Sequence, residues 1–155
     1  MIPKVKAYLG TKTSPNKTRF EVEDMLEKNF GITLTAWKRE DPENTYFAFQ
    51  HKSDGVEKPL TYKVQIPFIE KKERAVKNNR YSEQVNVYDE PRAYRFFYHI
   101  LKSMMLNAQI GMTFEETFSS YLVVGKLPDG TPTTVQDVIL EKISDGKVPA
   151  LEMKK

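Results

Sequence analysis

Strict alternation between apolar and polar residues over residues 60–68 is the feature that most constrains the fold. An amphipathic helix would place its apolar residues three and four apart, whereas here they recur at every second position. The apolar positions are Leu60, Tyr62, Val64, Ile66 and Phe68. Such a segment is a strand with one buried face, so the chain must form a sheet that another layer covers.

Two further β segments, residues 32–39 and 45–52, precede this strand. Residues 40–44 form a proline-containing turn between them, and residues 53–55 form a second turn. Segments separated by such turns predict a three-stranded antiparallel meander. Its inner face is expected to carry Ile32, Leu34, Ala36, Phe47, Phe49, Leu60, Tyr62, Val64 and Ile66. Its outer face is expected to carry Thr33, Thr35, Trp37, Arg39, Tyr46, Ala48, Gln50, Lys63 and Gln65.

Two helices are predicted to cover the sheet. Ser14 and Pro15 are typical of a helix start, and Gly31 is typical of a helix end, which predicts a helix over about residues 15–29. Residues 92–110 contain neither glycine nor proline and follow Pro91, which predicts a long helix over about residues 91–110. Its buried seam is expected to consist of Tyr94, Phe97, Leu101, Met104, Met105 and Ala108.

The remaining segments carry weaker signals. Residues 70–80 are charged and indicate a weak helix with a break at Asn78-Asn79, and residues 81–88 indicate a loop or an irregular extended piece. Short helices are predicted near residues 113–120 and 134–142. We therefore predict a single α+β domain over residues 1–155. In it, an antiparallel sheet of three or four strands packs on the long helix and the N-terminal helix.

Composition and spacing exclude most kinds of catalytic site. The chain has no cysteine, and His51 and His99 lack the spacing of a zinc site. We interpret His51 as a surface residue of a strand and His99 as a partly buried helix residue. The seven glycines never occur in the spacing of a phosphate-binding loop, and no serine lies in a GxSxG elbow. We expect no catalytic residue, metal or cofactor.

Several local patterns occur in an order that resembles a known group of proteins. They are Ser14-Pro15 and Lys17-Thr18 before an acidic helix, Asn29-Phe30-Gly31 at its end, Ala93-Tyr94-Arg95, residues 111–118, and Asp129-Gly130-Thr131. The chain thereby resembles a widespread family of small uncharacterised proteins encoded by phages and mobile elements of bacteria and archaea. The resemblance implies a mobile-element origin but no activity. Because no segment has the roughly 20 apolar residues of a membrane span or a secretory leader, we expect a location in the host cytoplasm.

The outer face of the sheet is the first predicted binding surface. Trp37 and Tyr46 are expected to be neighbours across the first hairpin, with Arg39 and Lys63 beside them. Aromatic rings stack on bases and cations attract phosphates, as in modules that hold single strands. The alternative is that a helix covers this face, or that a Trp–Tyr pair stabilises the sheet without any ligand.

A basic segment is the second predicted binding surface. Its five cations are Lys71, Lys72, Arg74, Lys77 and Arg80. On a helix, Lys71, Arg74 and Lys77 would share one side and could contact nucleic acid or an acidic protein surface. The alternative is a solvated face. Residues 1–80 carry a net charge of +5 and residues 81–155 a net charge of −2, which permits such attraction without proving it.

These patterns favour a non-enzymatic intracellular accessory protein of phage or mobile-element type that binds single-stranded nucleic acid. The alternative is a protein–protein interaction module, such as an inhibitor of a host factor or a virion or assembly component.

Overall fold

Helices and antiparallel sheets make up the protein, and the predicted α+β class is confirmed. The computed structural model describes residues 2–39, 41–77 and 81–150, and of residues 76, 77, 81 and 82 it describes only the backbone. In this part of the chain there are three sheets: a meander, a long two-stranded ribbon and a short C-terminal hairpin. None of the described helices combines the length and apolar composition needed to cross a bilayer.

The meander consists of β1 (Thr35–Arg39), β2 (Thr45–His51) and β3 (Leu60–Gln65), in that order. A single turn of 3₁₀ helix at Pro42–Asn44, capped by the side chain of Asp41, joins β1 to β2. The predicted strand at residues 60–68 is present, but its ladder ends near Gln65. Two residues later Pro67 has no N–H to donate to a neighbouring strand.

Two helices lie on the inner face of the meander, as predicted. Helix α1 (Pro15–Phe30) begins where the Ser14 hydroxyl accepts a hydrogen bond from the Lys17 N–H at 3.2 Å, and it ends at Gly31 with φ of +66°. Helix α2 (Glu90–Ile110) begins where the Asp89 carboxylate accepts from the Arg92 N–H. The expected residue types therefore define both helix starts.

The core lies between the meander, α1 and α2. The predicted seam of α2 is confirmed, because its four fully buried large residues pack in one cluster with Val64 of β3. These are Tyr94, Phe97, Leu101 and Met105, all at most 3% exposed. Helix α3 (Phe114–Phe118) covers the part of this cluster formed by Phe49 and Tyr62. The rings of Phe114 and Phe118 pack against these two residues.

The C-terminal elements lie beside β3. Strands β6 (Val123–Lys126) and β7 (Pro132–Thr134) form a hairpin, and Leu122 makes an isolated antiparallel bridge with Tyr62. Helix α4 (Val135–Ser144) follows, with a capping box between Thr134 and Asp137. No residue of α4 is buried, so this helix contributes little to the core.

Residues 70–88 differ from the prediction. Strands β4 (Glu70–Lys77) and β5 (Tyr81–Tyr88) form an antiparallel ribbon that runs from the Glu70–Tyr88 pair to the Lys77–Tyr81 pair. The predicted weak helix is therefore wrong. Of the two alternatives for residues 81–88, the loop is wrong, and the extended piece is present as a regular strand. Alternating valines in β5 favour a strand, and a charged segment close by in sequence supplies its partner, which overrides the local helical signal of β4.

Candidate nucleic-acid interface

Trp37 lies on the inner face of the meander, so its predicted position on the outer face beside Tyr46 is wrong. Its ring packs on Phe47 with 4.3 Å between ring centroids, and it also contacts Tyr94 and Phe97 of α2. The indole Nε1 donates a hydrogen bond to Glu23 Oε1 of α1 at 2.8 Å. A half-buried ring engaged in this way is not available to stack on a base.

The cause is a one-residue error in the predicted orientation of β1. Trp37 pairs with Phe47 and Thr35 pairs with Phe49, so Thr35, Trp37 and Arg39 face inward. Ala36 is on the outer side and is exposed, and Leu34 before the strand is 62% exposed. Because side chains alternate along a strand, a shift of one residue exchanges the whole inner and outer sets.

Arg39 is committed to an ion pair at the sheet end. Its Nη2 lies 2.7 Å from Glu90 Oε1, and the Arg19 Nη2 lies 3.9 Å from the same oxygen. Together with Asp41 and Tyr88, Arg39 and Glu90 line an open cleft of about 430 Å³. Two carboxylates beside one half-exposed guanidinium make this cleft a poor site for a phosphate.

Tyr88 lies in the same cleft at the foot of the ribbon. Burial, assisted by Tyr94 and Glu90, raises the pKa of Tyr88 to about 12. Its hydroxyl has no hydrogen-bond partner among the described residues. The ring stacks on Phe68 with 5.7 Å between centroids, so Tyr88 anchors the ribbon to the sheet end.

Tyr46 and Lys63 are on the outer face, as predicted, and they contact each other. The Lys63 ammonium lies 4.6 Å from the centroid of the Tyr46 ring and donates to the Pro132 carbonyl at 3.1 Å. Tyr46 is only 8% exposed. Since Lys63 is tied to the C-terminal hairpin and Tyr46 is buried, this pair is structural in character.

The ribbon carries the exposed cations of the candidate interface. Its eight-residue strands extend about 26 Å at the usual 3.3 Å per residue. The Asp89 N–H donates to the Ile69 carbonyl at 2.8 Å, which closes the foot of the ribbon directly before α2. Beyond the foot, Lys71, Lys72 and Arg74 are all exposed. The ribbon therefore presents an extended charged surface outside the core.

The structure separates the basic residues that were predicted to share one side. In a strand, Lys71 and Arg74 are three positions apart and therefore on opposite faces of the ribbon. Lys77 occupies the last register position of β4, opposite Tyr81, and its side chain lies outside the described part of the chain, as does Arg80. Helical spacing placed these three residues together, and the strand period does not.

Two exposed amides of the ribbon, Gln84 and Asn86, were missed by sequence reasoning. Register pairs Lys72 with Asn86 and Arg74 with Gln84, on one face of the ribbon. The available signal was the alternation in residues 84–88, where valines alternate with polar residues. The sequence interpretation of residues 81–88 as a loop or an irregular extended piece does not use this alternation and therefore assigns no paired strand.

The histidines lie against aromatic rings. His51 faces inward and stacks on Phe114 with 3.9 Å between centroids, so its prediction as a surface residue is wrong. His99 is partly buried, as predicted, and stacks on Tyr8. Burial lowers the pKa of both imidazoles. Among the described residues, no cluster of three or more histidine, aspartate or glutamate side chains is arranged to hold a metal ion.

Comparison with known proteins finds no significant similarity to any protein-family model, curated protein or solved structure. The resemblance to proteins of phages and mobile elements therefore stays a prediction.

Proposed function

We propose that this protein is a non-enzymatic accessory protein that binds nucleic acid through the β4–β5 ribbon. One observation carries the proposal: Lys71, Lys72 and Arg74 are exposed on a ribbon that extends beyond the core. Exposed cations along an extended element attract phosphates, and such contacts supply most of the affinity of non-specific binding. An origin in a phage or mobile element, predicted from the sequence, is part of the same proposal.

The choice of the ribbon follows from the contacts of Arg39 and Lys63, the two cations of the predicted outer-face surface. Arg39 is paired with Glu90, and Lys63 is bonded to the Pro132 carbonyl. Both cations would have to break internal contacts before they could bind a phosphate. By contrast, Lys71 and Arg74 of the ribbon were also predicted to bind, and the structure describes them as exposed and gives them no internal ion pair or hydrogen bond of this kind with another described residue.

A titration of labelled DNA with variants of the ribbon tests the proposal. The triple variant Lys71→Ala, Lys72→Ala, Arg74→Ala should lose most of its affinity for both single-stranded and duplex DNA. The slope of log K against log salt should fall by about 0.9 for each phosphate contact removed from duplex DNA. The matched control is Lys52→Ala, Lys58→Ala, which removes two exposed lysines at the opposite end of the meander. Equal loss in both variants would contradict the proposal.

An acidic protein surface is the alternative partner for the same ribbon. Carboxylates attract exposed lysines and arginines as phosphates do, and the exposed Glu73 gives the ribbon an acidic group for pairing with a basic residue of a partner. Competition separates the two. If polyaspartate displaces labelled DNA as effectively as unlabelled DNA does at equal charge concentration, the protein-interaction module becomes the better proposal.

A further inference from the structure

The two faces of the ribbon differ in chemistry. The register places Lys72 opposite Asn86 and Arg74 opposite Gln84, and all four residues are exposed on the same side. We refer to these four residues as the polar face. The other side of the ribbon combines half-buried apolar residues with charges of both signs: Lys71, Glu73, Ala75, Glu83, Val85 and Val87.

We infer that the polar face recognises base edges in the major groove of duplex DNA, an inference that rests on the proposed nucleic-acid binding. Arginine and lysine donate to the O6 and N7 acceptors of guanine, and asparagine and glutamine form two hydrogen bonds with the N6 and N7 of adenine. The polar face holds one residue of each type. Binding through phosphates alone would need the cations but not the two amides.

The dimensions of the ribbon agree with a major groove. Two strands about 4.8 Å apart, with side chains on one side directed at the bases, fit a groove about 12 Å wide and 8.5 Å deep, which admits a two-stranded ribbon. The major groove of duplex RNA is too narrow and deep for side chains to enter. Duplex DNA is therefore the better match.

The composition of the polar face also argues against single strands. Proteins that hold single strands stack bases on aromatic side chains. Tyr88 is the one aromatic residue of the ribbon whose side chain the structure describes, and it lies at the foot, where it stacks on Phe68. The four residues of the polar face are hydrogen-bonding residues without an aromatic ring.

The positions of the glutamates indicate which face meets the DNA. Glu70 is on the side of the polar face but is half-buried at the foot of the ribbon, whereas the exposed Glu73 and Glu83 lie on the opposite side. With the polar face in the groove, these carboxylates are directed away from the bases. The reverse orientation would bring both glutamates into the groove, where the negative potential opposes them.

Selection from a random duplex library tests the inference. The wild type should enrich a defined sequence, whereas Gln84→Ala, Asn86→Ala should bind the unselected library with unchanged salt slope but lose preference. The loss should be about 5- to 150-fold in discrimination at each base pair contacted. Arg74→Lys keeps the charge and should weaken the preference at one position, because lysine can donate to guanine but lacks the planar fork. The matched control is Asn107→Ala, Gln136→Ala, two exposed amides on α2 and α4.

The outcomes separate this inference from the proposed function. Salt-dependent binding without sequence enrichment would overturn base recognition and leave nucleic-acid binding in place. Tighter binding to single strands than to duplex DNA would overturn it in the same way. If the folded wild-type protein binds no DNA, both base recognition and the proposed nucleic-acid binding are overturned. Unchanged urea midpoints of the variants would show that altered preference does not arise from unfolding.

Discussion

The meander and the ribbon are built from the same antiparallel pairing but have opposite surroundings. The inner face of the meander is mostly apolar, and α1, α2 and α3 cover it, so that Phe47, Phe49 and Tyr62 are at most 1% exposed. The ribbon has eight residue pairs, more than either pairing within the meander, yet Lys72, Arg74 and other side chains beyond its foot are exposed. Strand pairing alone therefore does not explain why the ribbon is present.

The difference indicates a division between stability and binding. Burial of apolar area is the main stabilising contribution to folding, and it is concentrated in the meander and its helices. A two-stranded ribbon is marginally stable by itself, and this one is anchored at its foot by buried Ile69 and the Phe68–Tyr88 stack. Substitutions in its exposed part should therefore change binding with little effect on stability.

The largest expected effect is on the core. Leu101→Ala removes a fully buried side chain and should lower the free energy of unfolding by about 2–5 kcal/mol, measured by urea denaturation. The matched control is the adjacent Ile100→Ala on the same helix, where the side chain is 45% exposed and the cost should be much smaller. A cost below about 1 kcal/mol for Leu101→Ala would show that the buried seam of α2 is misplaced.

A smaller loss is expected at Trp37. Trp37→Phe retains an aromatic ring but removes the hydrogen bond to Glu23, which should cost about 1.5 kcal/mol, the lower range for a bond to a charged group. In a Glu23→Ala background the same substitution should cost less, because the partner is already absent. Equal costs in the two backgrounds would contradict the contact.

Lys63 and Lys72 are expected to differ in role, since Lys63 stabilises the fold and Lys72 binds DNA. Lys63→Met removes the bond to the Pro132 carbonyl while keeping much of the aliphatic stem, at a cost of about 1 kcal/mol in unfolding free energy. Its affinity for DNA should stay unchanged, whereas Lys72→Ala should lower affinity and keep stability. Anisotropy titrations and urea denaturation of both variants check this crossed pattern. Weaker DNA binding by Lys63→Met would contradict this difference and would indicate that the outer face of the meander contacts DNA.

The pH dependence of stability should be the smallest effect. Burial lowers the pKa of His51 and His99 from 6.5, so protonation favours the unfolded chain. Their stabilising contribution is therefore present above pH 6.5 and is lost as the pH falls through the lower folded-state pKa. His51→Phe should reduce the fall in urea midpoint just below pH 6.5. A midpoint that rises on acidification in this range would contradict the assignment.

The parts of the fold that could be predicted are those with strong local signals. Ser14, Pro15 and Gly31 define α1, and the alternation from Leu60 to Ile66 defines the buried face of β3. These signals depend on backbone preferences and on one periodicity, and both act within a few residues. Tertiary contacts do not need to be known for them.

The orientation of β1 and the ribbon depended on contacts distant in sequence. The apolar pattern of residues 32–39 is compatible with either face of the strand being buried. Ile32, Leu34 and Ala36 favour one face, and Trp37 favours the other. The choice is made by Glu23 on α1 and Phe47 on β2, which receive the indole. Likewise, β4 has a helical charge pattern and becomes a strand only because β5 pairs with it. The candidate interface can therefore be predicted only in part, through Lys71, Lys72 and Arg74.

Hydrogen exchange with and without duplex DNA tests the division between meander and ribbon most directly. In the free protein, amides of the meander and α2 should be strongly protected, and amides of β4 and β5 should exchange faster. Addition of duplex DNA should slow exchange in the ribbon and leave the outer face of the meander unchanged, and Lys71→Ala, Lys72→Ala, Arg74→Ala should abolish that change. Protection by DNA at β1–β3 or α4, with the ribbon unaffected, would contradict the account.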